Sequence, residues 1–326
     1  MIPVIEVGGT HVTAGLVDPA DGRVERRTHR PLDPGARAED ILGAVCRCAD
    51  ALDTPAGTTW GMALPGPFDY TRGIGLFADV GKFEALYGTD VRAALLDRMA
   101  RRPGGIVFLN DAHAFLLGEC AMGAAAGHTH VVGITLGTGV GSAFLANGRI
   151  LDHGPGVPPE GRMDLTAVDG APLEESVSRR ALVARYGERD VDVRDIAERA
   201  RAGERRARRV LDEAFGTLGT ALGPRLAAFG ATALVVGGSM ARSWDLIAPA
   251  LHTALTKTGW CPEVHGPPIN APAGSGTDRD RPEVKRRPPT WHTRAMRPAA
   301  LAGDAALLGA ARAVAARDRE RTGPGW

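Results

Sequence analysis

Twice in this 326-residue chain an apolar strand runs into a glycine loop and straight back into a second strand, and that repetition limits the possible folds more than any other feature. In residues 131–151, VVGITLGTGVGSAFLANGRIL, Val131, Val132, Ile134 and Leu136 have strand composition. Gly137, Thr138, Gly139 and Gly141 then clear side chains from the backbone, so that N–H groups can face an anion, and the Thr138 hydroxyl adds a donor. Strand composition returns over 142–145, and Asn147-Gly148 is a strong hairpin-turn signal. The glycines therefore sit between two strands. A dinucleotide fingerprint needs a helix after its glycines and a P-loop needs Gly-Lys-Ser/Thr; neither sequel is present.

Residues 2–18, IPVIEVGGTHVTAGLVD, repeat the device: a strand, the loop Gly8-Gly9-Thr10, and a return through Val12, Ala14 and Leu16. A tight turn explains a lone Gly-Gly-Thr as readily as a phosphate does. Two copies, with Gly9 and Gly137 128 positions apart, predict duplicated halves that each give one phosphate-binding hairpin to a shared cleft.

At this point the chain resembles the actin, hexokinase and heat-shock chaperone superfamily and, within it, the ROK family of sugar kinases and sugar-responsive repressors. The resemblance rests on IEVGGTHVTAGLVD (5–18), ALPGPFDYTRGI (63–74), LNDAHAFLLGE (109–119), TLGTGVGSAFL (135–145) and LVVGGSMA (234–241), in family order. It implies an α/β chain of two ribonuclease-H-like (actin/hexokinase-type) domains with mixed sheets around a central cleft. The smaller acceptor domain would comprise residues 1–116 plus 300–326, and the larger nucleotide-binding domain residues 117–299.

The implied activity is ATP-dependent phosphorylation of a hydroxyl on a hexose or a hexose-like cyclitol, as in ROK kinases of aminocyclitol biosynthesis, in a homodimer. By the same resemblance Asp111 is the general base, and Gly8, Gly9, Thr10, His11, Gly137, Thr138, Gly139, Gly237, Gly238 and Ser239 bind ATP. Glu6 stands where the family has Asp and would hold Mg²⁺ through water. Gly66, Asp79, Asn110, Asp111, Glu160 and Glu174 would bind the acceptor. The alternative is a non-catalytic sugar-sensing or regulatory protein. Repressors of the family place a helix-turn-helix ahead of the first hairpin, which here begins at residue 2 and leaves no room for one.

Taken by themselves, several of these residues stay open. Pro65-Gly66-Pro67 reads equally as a rigid turn or as bare backbone against a ligand; the resemblance favours the acceptor pocket. Asp79, as a carboxylate, only accepts hydrogen bonds and would suit a hydroxyl and reject an anion. Asn110-Asp111 before a helix reads first as capping; set between two phosphate hairpins, Asp111 reads as the base and Asn110 as a hydroxyl-positioning group. Glu174 matches a family Leu-Glu better than Glu160 matches a family Glu-x-Gly-His, and either His153 or Arg162 would replace the family histidine.

With 44% hydrophobic and 24% charged residues the chain can bury a sizeable core, and a net charge of +1 gives no general pull towards nucleic acid or an anionic membrane. No apolar run reaches membrane-spanning length and no signal-peptide pattern opens the chain, so the cytoplasm is the expected compartment. Cys46, Cys48, Cys120 and Cys261 are scattered and read as reduced core thiols. Many ROK kinases hold a structural zinc with a cysteine-rich loop and a histidine after the second hairpin. Residues 153–178 contain no cysteine, which predicts no zinc.

Periodicity predicts helices over 34–52, 110–119, 218–229 and 301–314, solvated helical sequence over 180–215, and strands over 60–64, 106–109 and 232–236. The last helix, by resemblance, crosses back to the first domain. Residues 262–298, rich in Pro, Gly and Arg, read as a mobile loop inserted before it, with Lys285 to Arg287 as a possible anion contact.

Overall fold

The computed structural model describes residues 1–266 and 294–322, and in it both glycine devices are hairpins. β1 (Ile2–Val7) pairs antiparallel with β2 (His11–Val17), and β2 with β3 (Val24–Pro31). α1 (Ala38–Asp50), whose buried stripe includes Ile41, Leu42, Val45 and Ala49, leads to β4 (Thr59–Leu64), parallel to β1. A short ladder of β5 (Phe68–Asp69) and β6 (Ile74–Gly75), then α2 (Val91–Arg98), precede β7 (Gly105–Asn110). β7 completes a sheet of order β3-β2-β1-β4-β7 and passes directly into α3 (Asp111–Met122).

The second sheet starts with β8 (His130–Leu136), β9 (Val140–Ala146) and β10 (Arg149–Leu151), all antiparallel. Asn147 and Gly148 have φ of 50° and 80°, the paired positive values a tight hairpin turn requires. The ladder β11 (Ala167–Val168) and β12 (Ala171–Pro172) and the helices α4 (Glu174–Val177), α5 (Arg179–Tyr186), α6 (Val193–Arg201) and α7 (Arg205–Phe229) follow. β13 (Ala233–Gly237) lies parallel to β8, and after α8 (Trp244–Lys257) come β14 (Glu263–Val264) and β15 (Ala295–Pro298). The order is β10-β9-β8-β13-β15-β14, and α9 (Ala305–Thr322) closes the chain. Each sheet thus opens with an antiparallel hairpin and continues with parallel strands, an α/β fold with the ribonuclease-H-like pattern used twice.

α9 packs on β1, β4 and α3. The contact runs through glycines because backbone meets backbone there. A Cβ on Gly118 of α3 would overlap the Ala305 carbonyl, one on Gly309 would overlap the Ala114 carbonyl, and one on Gly61 would stand 2.8 Å from Ala310 O. The buried Glu119 carboxylate adds a polar staple, accepting from Ala124 N at 2.7 Å and from Ala300 N and Leu301 N at about 3 Å.

Three readings of the sequence are corrected and one strand, β3, is added. The helical pattern over 205–229 is one helix, because the stripe Val210, Leu211, Ala214, Phe215, Leu218, Leu222 and Leu226 stays buried throughout and Pro224 does not end it. Residues 262–298 are not a loop at both ends: Ala295 and Met296 are buried on β15, which pairs with β13, and β14 pairs beyond it. The rest of that segment, with Lys285 to Arg287, lies outside the described residues. β3 had no periodic signal because its residues, VERRTHRP, are largely exposed at a sheet edge. Cys46 and Cys48 are buried free thiols, but Cys120 is half-buried and Cys261 exposed, so only the first pair belongs to the core.

Candidate active site

The first hairpin turn is closed by Gly8 N donating to His11 O at 2.8 Å, the second by Gly137 N donating to Gly139 O at 3.0 Å. The two turns face each other, since a Cβ on Gly9 would lie 3.8 Å from Thr138 Oγ1. The third glycine pair joins them: a Cβ on Gly137 would lie 3.8 Å from Ser239 Oγ. Gly237 and Gly238 are glycines for packing reasons visible here. A Cβ on Gly237 would strike the Phe115 ring at 2.5 Å, and Gly238 has φ 85° with the Leu136 backbone against it. The His11 ring folds back over Gly8 and stacks on His29 at 4.9 Å. Burial, then the His29 charge, holds its pKa below the ordinary histidine value, so His11 is neutral at pH 7. Thr10 is exposed at the turn tip.

Between the hairpins stand two carboxylates. Glu6, near the end of β1, is pushed up to about 7, first by burial and then by the Asp111 charge, against a smaller opposite pull from Arg27. Burial likewise raises Asp111, at the first position of α3; the Lys82 charge and the backbone N–H of Ala112, at 2.9 Å, oppose it. Asn110 does cap α3. Its Oδ1 accepts from Ala112 N at 2.9 Å and His113 N at 3.3 Å, while its Nδ2 donates to Tyr70 Oη at 3.0 Å. Tyr70 in turn donates to Leu64 O at 3.3 Å. A Cβ on Gly66 would sit 3.3 Å from Tyr70 Oη and 3.9 Å from Asn110 Nδ2, so Gly66, Tyr70 and Asn110 form one wall.

The facing wall comes from residues 160–174. Ser142 Oγ donates to Gly161 O at 2.6 Å and accepts from Met163 N at 2.9 Å, while Val157, Met163, Leu173 and Val177 anchor the segment in the core. Arg162 is paired with Asp164, and Glu174 N donates to Asp164 O at 3.1 Å. The Glu174 carboxylate lies against Gly139 of the second hairpin, where any Cβ would displace it. Glu160 is exposed at a left-handed position (φ 56°), and Asp79 is exposed at another (φ 55°). His153 is exposed and bonded to its neighbour Asp152.

The structure therefore brings Glu6, Gly9, Asn110, Asp111, Thr138, Gly139, Glu174 and Ser239 towards one cleft and leaves Asp79 and Glu160 exposed, with no contact to these residues among those described. Sequence reasoning missed Tyr70, Lys82 and Asp164. Tyr70 lay inside the quoted motif without a role of its own; nothing in spacing ties a tyrosine to an asparagine 40 residues on.

Glu6 fits a hydrated magnesium ion, since a desolvated carboxylate repelled by the Asp111 charge is relieved by a cation and Mg²⁺ takes few protein ligands. The family's zinc finds no such fit. Residues 153–178 lack cysteine, and among the described residues no group of three or more His, Cys, Asp or Glu side chains could hold a metal.

Two facing glycine hairpins on mixed sheets, with a half-buried carboxylate at a helix start between them, define a protein of the actin/hexokinase-type fold. The ROK family profile matches residues 3–263, and the chain belongs to that family. The glucokinase of Thermotoga maritima is 27% identical over 270 residues, covering 74% of this chain and 83% of its own. An N-acetyl-D-glucosamine kinase of Pectobacterium carotovorum is 26% identical, covering 77% and 87% respectively. A ROK family glucokinase from Streptomyces griseus, solved with glucose and AMPPNP, superposes with TM-score 0.71 at 24% identity, covering 96% of this chain and 98% of its own. No helix among the described residues is long and apolar enough to cross a membrane.

Proposed function

We propose that this chain is an ATP-dependent kinase that phosphorylates a hydroxyl of a hexose or hexose-like cyclitol. The observation that carries the reading is Asp111: a half-buried carboxylate at a helix start, its pKa raised by desolvation, in a cleft where Gly9 of one hairpin faces Thr138 of the other. Sugar kinases among the relatives support it. Asp111 accepts the proton of the acceptor hydroxyl, whose oxygen attacks the γ-phosphorus of ATP; the bond to the β,γ-bridging oxygen breaks and ADP leaves. Burial raises the Asp111 pKa and so makes it a stronger base. Backbone N–H groups of Gly9, Thr10, Thr138 and Gly139 and the hydroxyls of Thr10, Thr138 and Ser239 hold the phosphates; Gly237 and Gly238 let adenosine approach the backbone. Asn110 and Gly66 position the acceptor with Glu174, while Asp79 and Glu160 contribute from exposed positions. Mg²⁺, held through water by Glu6, would neutralise phosphate charge.

The same reading divides the chain into an acceptor domain of residues 1–116 plus 300–326 and a nucleotide domain of residues 117–299. It gives a cytoplasmic homodimer with no nucleic-acid or membrane partner. ADP release measured over a panel of hexoses, aminosugars and cyclitols tests it. At least one acceptor should support turnover that stops with a chelator and returns with Mg²⁺; no turnover on any member contradicts the proposal.

A further inference from the structure

The wall opposite Asn110 is organised around one arginine. Ser142 binds the backbone at Gly161 and at Met163, and the Met163 side chain is fully buried. Residue 162 is thus pinned on both sides, and only its side chain leaves the wall. Asp164, itself 8% exposed, grips the guanidinium: Nη2 lies 2.6 Å from Oδ2 and Nε 3.3 Å from Oδ1. Asp164 is held in turn by the bond from Glu174 N to its carbonyl, and Glu174 abuts the second hairpin. Two of the five N–H donors are consumed; the side chain remains 39% exposed, leaving the others free for a ligand. The Arg162 charge reaches the Tyr70 phenol on the far wall, beside Asn110 and Gly66, and the Glu174 charge reaches Arg162 in turn. His153 is no rival, since its side chain is 91% exposed.

The geometry points to Arg162 as an acceptor-positioning residue: a clamped guanidinium that donates to an oxygen of the acceptor ring and disfavours a protonated amine at that edge. The inference rests on the kinase reading and narrows its acceptor. A guanidinium has donors and no acceptor, so hydroxyl or carbonyl oxygens suit it and an ammonium does not. Lys82, whose charge acts on Asp111, puts a second cation at the cleft.

The test uses the acceptor found by ADP release, with its affinity also read by calorimetry without ATP. Arg162→Lys and Arg162→Ala should weaken the acceptor KM and affinity by about 10-fold and about 100-fold, with smaller losses in kcat and an ATP KM within about two-fold. Asp164→Asn should raise acceptor KM in the same sense and add little on top of Arg162→Ala, as coupled neighbours do. Among monoamino analogues of the accepted ring, one for each position, at least one should be rejected by wild type about 10-fold or more, and Arg162→Ala should narrow that ratio. Unchanged acceptor affinity and unchanged amine discrimination would overturn the inference. So would equal losses in acceptor KM, ATP KM and Tm, which mark a purely structural arginine. A wild-type protein that binds acceptors with these preferences and never releases ADP overturns the kinase reading alone.

Discussion

Glu6 and Asp111 are held in the native state at a cost, because burial and their mutual repulsion both oppose charge. For Glu6 the folded pKa, about 7, lies above the ordinary glutamate value of 4.5. The native state therefore binds more protons than the unfolded chain between these values, and stability is lost as pH rises through that window. Glu6→Gln should accordingly raise the Tm of the magnesium-free protein at about pH 8, reflecting a stability gain of at most about 3 kcal/mol at roughly 1.4 kcal/mol per pKa unit, with the gain fading as pH falls to about 4. A variant melting lower than wild type at the higher pH would show that the carboxylate is structurally needed. At this scale the sequence was legible where a residue type has few uses. Asn110-Asp111 read both as a cap and as site chemistry, and Asn110 is observed to cap α3 while its amide holds Tyr70. Tyr70, Lys82 and the Arg162–Asp164 pair were not legible, because their meaning depends on which loops the fold brings together.

Elements with a local signal were readable and those fixed by neighbours were not. Both hairpins followed from strand composition, glycine loops and Asn147-Gly148, all properties of short stretches. β15 was hidden because two buried residues, Ala295 and Met296, sit among Pro and Arg and gain strand identity only from β13. The α3–α9 crossing was equally invisible, since Gly118 and Gly309 look like ordinary helix-weakening glycines until each is seen under the other helix's carbonyl. That crossing sets the position of Asp111 from behind. Gly118→Ala should lower stability by about 2 kcal/mol or more through overpacking, whereas Gly216→Ala in α7, where a Cβ meets nothing within 4 Å, should raise it by roughly 0.5–1 kcal/mol. Thermal melts of both variants decide the matter; a Gly118→Ala protein as stable as wild type would show that the helices can part without cost.

Across the whole molecule, a wall that relatives are expected to staple with zinc is held by Ser142 and by Val157, Met163, Leu173 and Val177 in the core. Metal analysis of the purified protein should find zinc well below one atom per chain, and a zinc chelator should leave its Tm unchanged. Stoichiometric zinc would mean that ligands exist which residues 153–178 do not reveal. In the proposed reading the two sheets share one chemical purpose, to bring a glycine hairpin from each against one carboxylate. The most direct test of that account is the turnover of Asp111→Asn with an accepted sugar and Mg-ATP. The amide keeps the shape and cannot take the proton, so kcat should fall by about 100-fold or more while ATP affinity stays within a few-fold of wild type; a variant turning over within a few-fold of wild type would contradict the account.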